Sequence, residues 1–419
     1  MPRNTRRYGF ALAAWVCIPL AGVGAQNLDE VTVSANGQVR TLGAALRLVR
    51  SGGRVVVTAG TYREQSLVAQ RAVSIVGVGS PTIAGDGEHV ILTVTADDVT
   101  VRGLRFTHVN TSYTEDRAVI RVQDAKRCAL LDNRIDDAFF GIYLAGVVGC
   151  RIEGNELVAT HSRETTSGNG IHLWSSRDVV IAGNTVHGFR DGIYFEFVRN
   201  TEVSRNVSHD NLRYGLHFMY SDNCRYIGNV FRANGSGVAV MYTHHVQMTG
   251  NRFENNWGPA AYGLLLKEIS DARLEHNVFS RNTTGLVADG ANRIVADRND
   301  FIGNGWAIKL DASTVAGAMT RNNFIGNTFD LSTNSRDPST TLSGNYWDAY
   351  RGYDLNRDGI GDVPFRPVRL FSLIVERHEP ALILLRSAFV GLLDAAERAL
   401  PALTPVSLAD ARPSMQRLQ

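Results

Sequence analysis

The 419-residue chain lacks a surplus of either charge: 43 Lys and Arg against 41 Asp and Glu leave a net charge of +2. Acids and bases are dispersed, and no basic stripe is interleaved with stacking aromatics, which argues against a nucleic-acid groove. Cysteine is scarce. Of the four present, Cys17 falls in an N-terminal leader, and Cys128, Cys150 and Cys224 each stand five residues before a recurring Asn. Val179, Thr201, Val246, Ala272 and Ile294 fill the same column elsewhere. The column is expected to face inward, with each thiol acting as a small apolar group. Cys128 and Cys150 are neighbours one repeat apart, so a disulfide between them stays open. A long apolar run is missing from the C-terminal region too. Its most apolar stretch, Ala381 to Leu393, is thirteen residues long and contains Arg386, whereas crossing a bilayer takes about 20.

What the chain does have is a repeat. Asn recurs at 133, 155, 184, 206, 229, 251, 277, 299, 322 and 345, at intervals of 22 to 29 residues, each followed two residues later by an aromatic, apolar or small residue. This period is that of a solenoid. Eight or nine residues after most of these Asn comes a Gly and an alternating strand, as in Gly170-Ile171-His172-Leu173, Gly192-Ile193-Tyr194-Phe195 and Gly215-Leu216-His217-Phe218. Period-two alternation marks a strand with one buried face. A second alternating run ends at each Asn. Two or three strands per coil predict an all-β fold, a right-handed parallel β-helix forming one elongated domain. The recurring Asn is read as scaffold, because it tolerates a left-handed backbone and its amide can bond along the turn when stacked on its copies.

Residues 1–25 carry Arg3, Arg6 and Arg7, then an apolar stretch and the small residues Val23-Gly24-Ala25. This pattern predicts a signal peptide and export to a periplasm, the mature chain starting near Gln26. Residues 26–366 are assigned to the β-helix, opening on an amphipathic cap helix over Thr41 to Arg50 that covers the first coil. Residues 367–419 form an apolar tail, with an amphipathic helix expected between Pro380 and Pro401 whose apolar stripe needs a partner, either the last coil or a docking surface. Two coils carry insertions, Glu156 to Asn169 and Arg252 to Tyr262, of the kind that wall a binding face.

Stacking the Gly-led strands in register generates one outward column of Tyr143, His172, Tyr194, His217, Ala239, Leu265, Val287 and Lys309. Two residues on, and on the same face, run Ala145, Trp174, Glu196, Met219, Met241, Lys267, Asp289 and Asp311. Coils lie about 4.8 Å apart. His217, Met219 and Met241 can therefore converge, with Glu196 beside Met219 and with His172, His244 and His245 as further candidates. Thioether and imidazole together suit the soft ion Cu(I), whereas calcium or magnesium would demand several oxygens. The same residues could instead form a patch that docks another protein. Further on, Asp354, Asn356, Asp358, Gly359 and Asp362 match calcium-loop positions, but the bidentate acid is replaced by Phe365. The loop is either a Ca²⁺ site or a set of Asx turns closing the last coil.

The strands GIHLW at 170, DGIYFEF at 191 and YGLHFMYSDN at 214, with the NYWD and DLNRDGIGDVP segments from Asn345, resemble the NosD family of periplasmic β-helix proteins. The resemblance runs from about Val31 to beyond Leu370. It implies a non-enzymatic protein that acts with the permease and ATPase subunits of an ABC transporter and with a copper-carrying lipoprotein. Its implied recipient is nitrous-oxide reductase, whose copper sites it helps to mature, at the periplasmic side of the inner membrane. The alternative is a carbohydrate-binding or polysaccharide-processing β-helix, with Trp174, Tyr194 and Tyr143 stacking on sugar rings. Hydrolysis would require two closely placed carboxylates. The central face offers only Glu196.

Overall fold

The computed structural model describes residues 28–160, 163–400, 403–404 and 406–419; the expected signal peptide lies outside the described residues. Three parallel sheets run the length of the molecule as a parallel β-helix. The first, of 14 strands, runs from Leu28–Val33 to Thr341–Ser343; the second, of 13, from Thr61–Arg63 to Tyr346–Trp347; the third, of 12, from Leu67–Ala69 to Phe329–Thr333. Each coil visits them in that order, and both insertions leave at one corner, between the second and third sheets.

Helix α1 spans Leu42–Leu48, with the Thr41 hydroxyl accepting from the Ala44 amide as N-cap and Leu42, Ala45 and Leu46 buried. It packs on the first coil, as an end cap should. It is shorter than expected because the β-branched Val49 is already extended and opens the strand Val49–Thr58. The coils also start well before the first recurring Asn. They escape the Asn period because other residues hold that position, such as Leu104, whose amide donates to Asn133 Oδ1 at 3.1 Å.

From Asn133 on, the recurring Asn form a buried ladder. In a typical rung Asn206 gives both its backbone N–H (2.9 Å) and its Nδ2 (3.0 Å) to Asn229 Oδ1, and Nδ2 also reaches the Ile181 carbonyl at 2.8 Å. A second ladder, Asn211, Asn234, Asn256, Asn282, Asn304 and Asn327, lines the corner between the second and third sheets. Between them the core holds a stack of Phe231, Phe253, Phe279, Phe301, Phe324 and Trp347, with ring centroids 4.0 to 5.6 Å apart. These are the residues two after the last six recurring Asn. Cys128, Cys150, Cys224 and Met248 all face inward, and Cys128 is disulfide-bonded to Cys150 on the next coil.

The C-terminal tail departs from a single helix. Helix α2, Leu370–Arg377, lays Phe371 and Val375 against Phe329 of the last third-sheet strand. A 3₁₀ turn, Glu379–Leu384, follows, and α3, Ala388–Ala399, begins only where the Ser387 side chain accepts from the Val390 amide. Ile383, Phe389 and Leu392 stay exposed. The chain then returns to the solenoid, burying Val406 and Leu408. Fully buried Asp410 accepts from the Gly344, Asn345 and Arg412 amides, Asn345 Nδ2 and Trp347 Nε1. A carboxylate thus ends the Asn ladder, supplying the acceptor that the last rung would otherwise lack.

Candidate metal-binding face

The third sheet carries both columns in the register expected from the sequence. Tyr143 pairs with His172, His172 with Tyr194, Tyr194 with His217 and His217 with Ala239; alongside, Trp174 pairs with Glu196, Glu196 with Met219 and Met219 with Met241. Parallel pairing at fixed coil height brings the two thioethers into adjacent positions. Both Met are half-buried.

In the first column the rings stack along the sheet, Tyr143 on His172 at 4.5 Å, His172 against Tyr194 at 4.7 Å, and Tyr194 edge-on to His217 at 5.2 Å. Tyr214, three residues earlier on the same strand, also packs on His217 at 4.9 Å. Both imidazoles are therefore buried. His172 Nδ1 lies 3.0 Å from Asn169 Nδ2, and burial together with the Arg190 charge lowers its pKa to about 3, Asp191 partly offsetting this. It is neutral at neutral pH. Burial, then the Glu196 carboxylate to which the Tyr194 hydroxyl donates at 3.3 Å, pushes that phenol up to about 12.

His217 is only 4% exposed, and neither ring nitrogen makes a hydrogen bond among the described residues. Its Nδ1 lies 3.7 Å from Oδ2 of Asp191, which is completely buried and likewise accepts no hydrogen bond among the described residues. Asp191 was not among the sequence candidates. It directly precedes Gly192, as Asn169 precedes Gly170, and the signal that could have found it is this Asx-Gly pair at the strand entry.

A second unforeseen feature is a stack of Phe197, Tyr220 and Tyr242 in the turns leaving the third sheet, at 5.3 and 5.2 Å. All three have left-handed backbone, φ 56°, 50° and 54°, where Gly146 and Gly290 stand on other coils. Trp174, two coils before Met219, and Phe197 are exposed. His244 and His245 lie around this corner, at the start of the first-sheet strand His244–Thr249. Both are exposed; His244 Nδ1 is 3.2 Å from Asp222 Oδ1, and His245 Nε2 is 4.0 Å from Asp271 Oδ2.

Among the described residues no group of three or more His, Cys, Asp or Glu is arranged to hold a metal ion. In the acidic loop, Asp354 accepts from the Asp358 and Gly359 amides, Asn356 from Asp358, Asp358 from Ile360, and Asp362 from Leu355. Its oxygens thus bond the loop's own backbone. No helix among the described residues is long and apolar enough to cross a membrane.

A family model described as the periplasmic copper-binding protein NosD matches residues 148–352, which include His172, Glu196, His217, Met219 and Met241. Two curated relatives, each named a probable ABC transporter binding protein NosD, cover nearly all of the chain. That of Pseudomonas aeruginosa is 29% identical, spanning 97% of this chain and 95% of its own length; that of Stutzerimonas stutzeri is 28% identical, spanning 85% and 86%. Among solved structures, the surface adhesin PfbA of Streptococcus pneumoniae superposes with a TM-score of 0.55 at 12% identity, over 76% of this chain and 91% of the adhesin. That likeness is one of fold.

Proposed function

We propose that this chain, which belongs to the NosD family, binds Cu(I) on the third sheet and passes it on, with an ABC transporter, for the copper sites of nitrous-oxide reductase. The observation that carries the reading is the in-register pair Met219 and Met241, with His217 on the same face of the neighbouring strand position. Two thioethers and an imidazole form a soft donor set that selects Cu(I) over hard cations. Glu196, His172, His244 and His245 are the secondary donors, and the exposed rings of Trp174, Phe197 and Tyr220 give the cargo a low-dielectric margin. Copper is cargo here, not a resident cofactor, so the protein is read as a carrier without turnover. A Ca²⁺ role for the loop at Asp354 rests only on its spacing.

Export by residues 1–25 would place the chain in the periplasm. The uncovered apolar residues Ile383, Phe389 and Leu392 would then meet the transporter permease, with its ATPase on the far side, while a copper-carrying lipoprotein loads the Met face. The test is anaerobic Cu(I) titration. Replacing Met219 and Met241 together by Leu keeps their volume and removes the sulfur. We expect a loss of affinity of about tenfold or more with folding unchanged; unaltered affinity would move the site to His244 and His245 or leave the face as a protein-docking patch. Co-purification with the membrane complex, compared with and without Ile383→Asp and Leu392→Asp, reads the transporter contact separately.

The stack of Phe197, Tyr220 and Tyr242 favours a second reading, in which sugar rings lie along this corner. Retention on immobilised acidic and neutral polysaccharides, abolished by Tyr220→Ala, would support it over copper.

A further inference from the structure

The Asp191 carboxylate has no exposure to solvent and accepts no hydrogen bond among the described residues. A buried carboxylate must be matched by a charge or a donor. Arg190 Nε and His217 Nδ1 each lie 3.7 Å from Oδ2, and the half-buried Arg213 also acts on the carboxylate through its charge. Arg190 donates to Asn169 Oδ1 at 3.1 Å through Nη2; its Nε is buried without a hydrogen-bond partner among the described residues, while the side chain as a whole is about one-third exposed. His217 is buried, and its ring is in contact with both Tyr194 and Tyr214. A small turn of the ring or the carboxylate brings Nδ1–H within bonding range of Asp191, and nothing else among the described residues bonds either ring nitrogen.

We propose that Asp191 is a positioning residue that accepts the Nδ1 proton of His217 and so presents the Nε2 lone pair as the donor for a soft cation. A neutral imidazole carries its proton on one nitrogen only, and the partner of one nitrogen decides what the other can do. Carboxylates play this role behind metal-ligating His, orienting the ring and raising its basicity. The inference deepens the copper reading and rests on it for the identity of the cation, but the pairing of Asp191 with His217 is tested without metal.

The experiment is long-range ¹H–¹⁵N NMR of the metal-free full chain labelled at histidine, at a pH above the ordinary imidazole range, with the His217 signals assigned by their loss in His217→Gln. The expected result is the Nδ1–H tautomer in the unaltered protein and a switch to Nε2–H in Asp191→Leu, with Cu(I) affinity falling by about 10- to 100-fold. An Nε2–H tautomer or an imidazolium in the unaltered protein would overturn the proposal, and so would a tautomer indifferent to Asp191. Because the first measurement needs no variant, poor folding of Asp191→Leu does not remove the test, and Asp191→Asn serves as the milder change. If the tautomer behaves as expected while Cu(I) titrates identically in all forms, the copper assignment of His217 fails and the Asp191–His217 pair stands.

Discussion

At the turn between the first and second sheets, each buried Asn is satisfied by its copy on the next coil; on the third sheet, Asp191 and His217 are equally buried and make no hydrogen bond among the described residues. Both columns come from the same device, a polar residue repeated at fixed height in a stack. The Asn ladder has donors and acceptors in series, so the amide dipoles line up and even its end is closed, by Asp410. The third-sheet column mixes Asn169, Asp191 and Tyr214 in one register, and such a mixture cannot propagate. A stack that satisfies itself stabilises the fold. One that leaves lone pairs unused holds them for something else.

Breaking the ladder should have the largest effect. Asn229→Ala removes the acceptor of the Asn206 backbone N–H and Nδ2, and leaves the Val203 carbonyl without its 2.8 Å donor. Each buried group left unpaired costs about 1–3 kcal/mol, so we expect a loss of about 3–5 kcal/mol, concentrated in the coils beside residue 229. Hydrogen exchange localises it better than a global midpoint, because a solenoid unfolds through its nearest neighbours. Protection factors unchanged on the flanking coils would show that the ladder is not what holds them.

Acid should distinguish the columns next. His172, with its pKa lowered to about 3 from 6.5 by burial and by Arg190, is neutral when folded and takes up a proton on unfolding. The stability it confers is complete above pH 6.5 and falls as pH drops through the window towards about 3. Between pH 6.5 and 5 the loss is about 2 kcal/mol. The Asn side chains of the ladder do not titrate, so His172→Phe, which keeps a ring between Tyr143 and Tyr194, should remove that part of the pH dependence. Urea midpoints of both proteins at the two pH values decide it; parallel pH profiles would exclude His172 as the cause.

Much of this was legible in the sequence, for physical reasons. The solenoid, the inward thiol column and the pairing of Met219 with Glu196 and Met241 follow from alternation at period two and a coil height that the backbone fixes. Asp191 was not legible, because alternation sets residues −1 and +2 around a Gly on opposite faces. The backbone is closely packed there: a Cβ on Gly192 would lie 2.1 Å from Ser208 Oγ and 2.8 Å from the Gly215 carbonyl. The residue before the Gly nonetheless reaches the residue two after it, as the 3.0 Å approach of Asn169 to His172 records. Asp410 escaped for another reason. Its partners lie about 65 residues upstream, and nothing in the local pattern of the tail announces them.

The smallest expected change is also the one whose sign matters. If Asp191 belonged to the scaffold in the way the ladder does, Asp191→Leu would cost several kcal/mol, as Asn229→Ala should. Its oxygens, however, have His217 Nδ1 and Arg190 Nε only at 3.7 Å, so little bonding is lost with them, and Arg190 keeps its bond to Asn169. A buried carboxylate whose partners stay beyond bonding distance recovers little of its desolvation cost, so an apolar residue of similar volume in its place is expected to be neutral or stabilising. We therefore expect Asp191→Leu to shift the urea midpoint by no more than about 1 kcal/mol, or upward, at an unchanged m-value, while Cu(I) affinity falls. Stability kept and ligand lost is the signature of a residue retained for function at the expense of the fold. A destabilisation as large as that of Asn229→Ala would instead place Asp191 among the residues that build the solenoid, and the contrast between the two columns would dissolve.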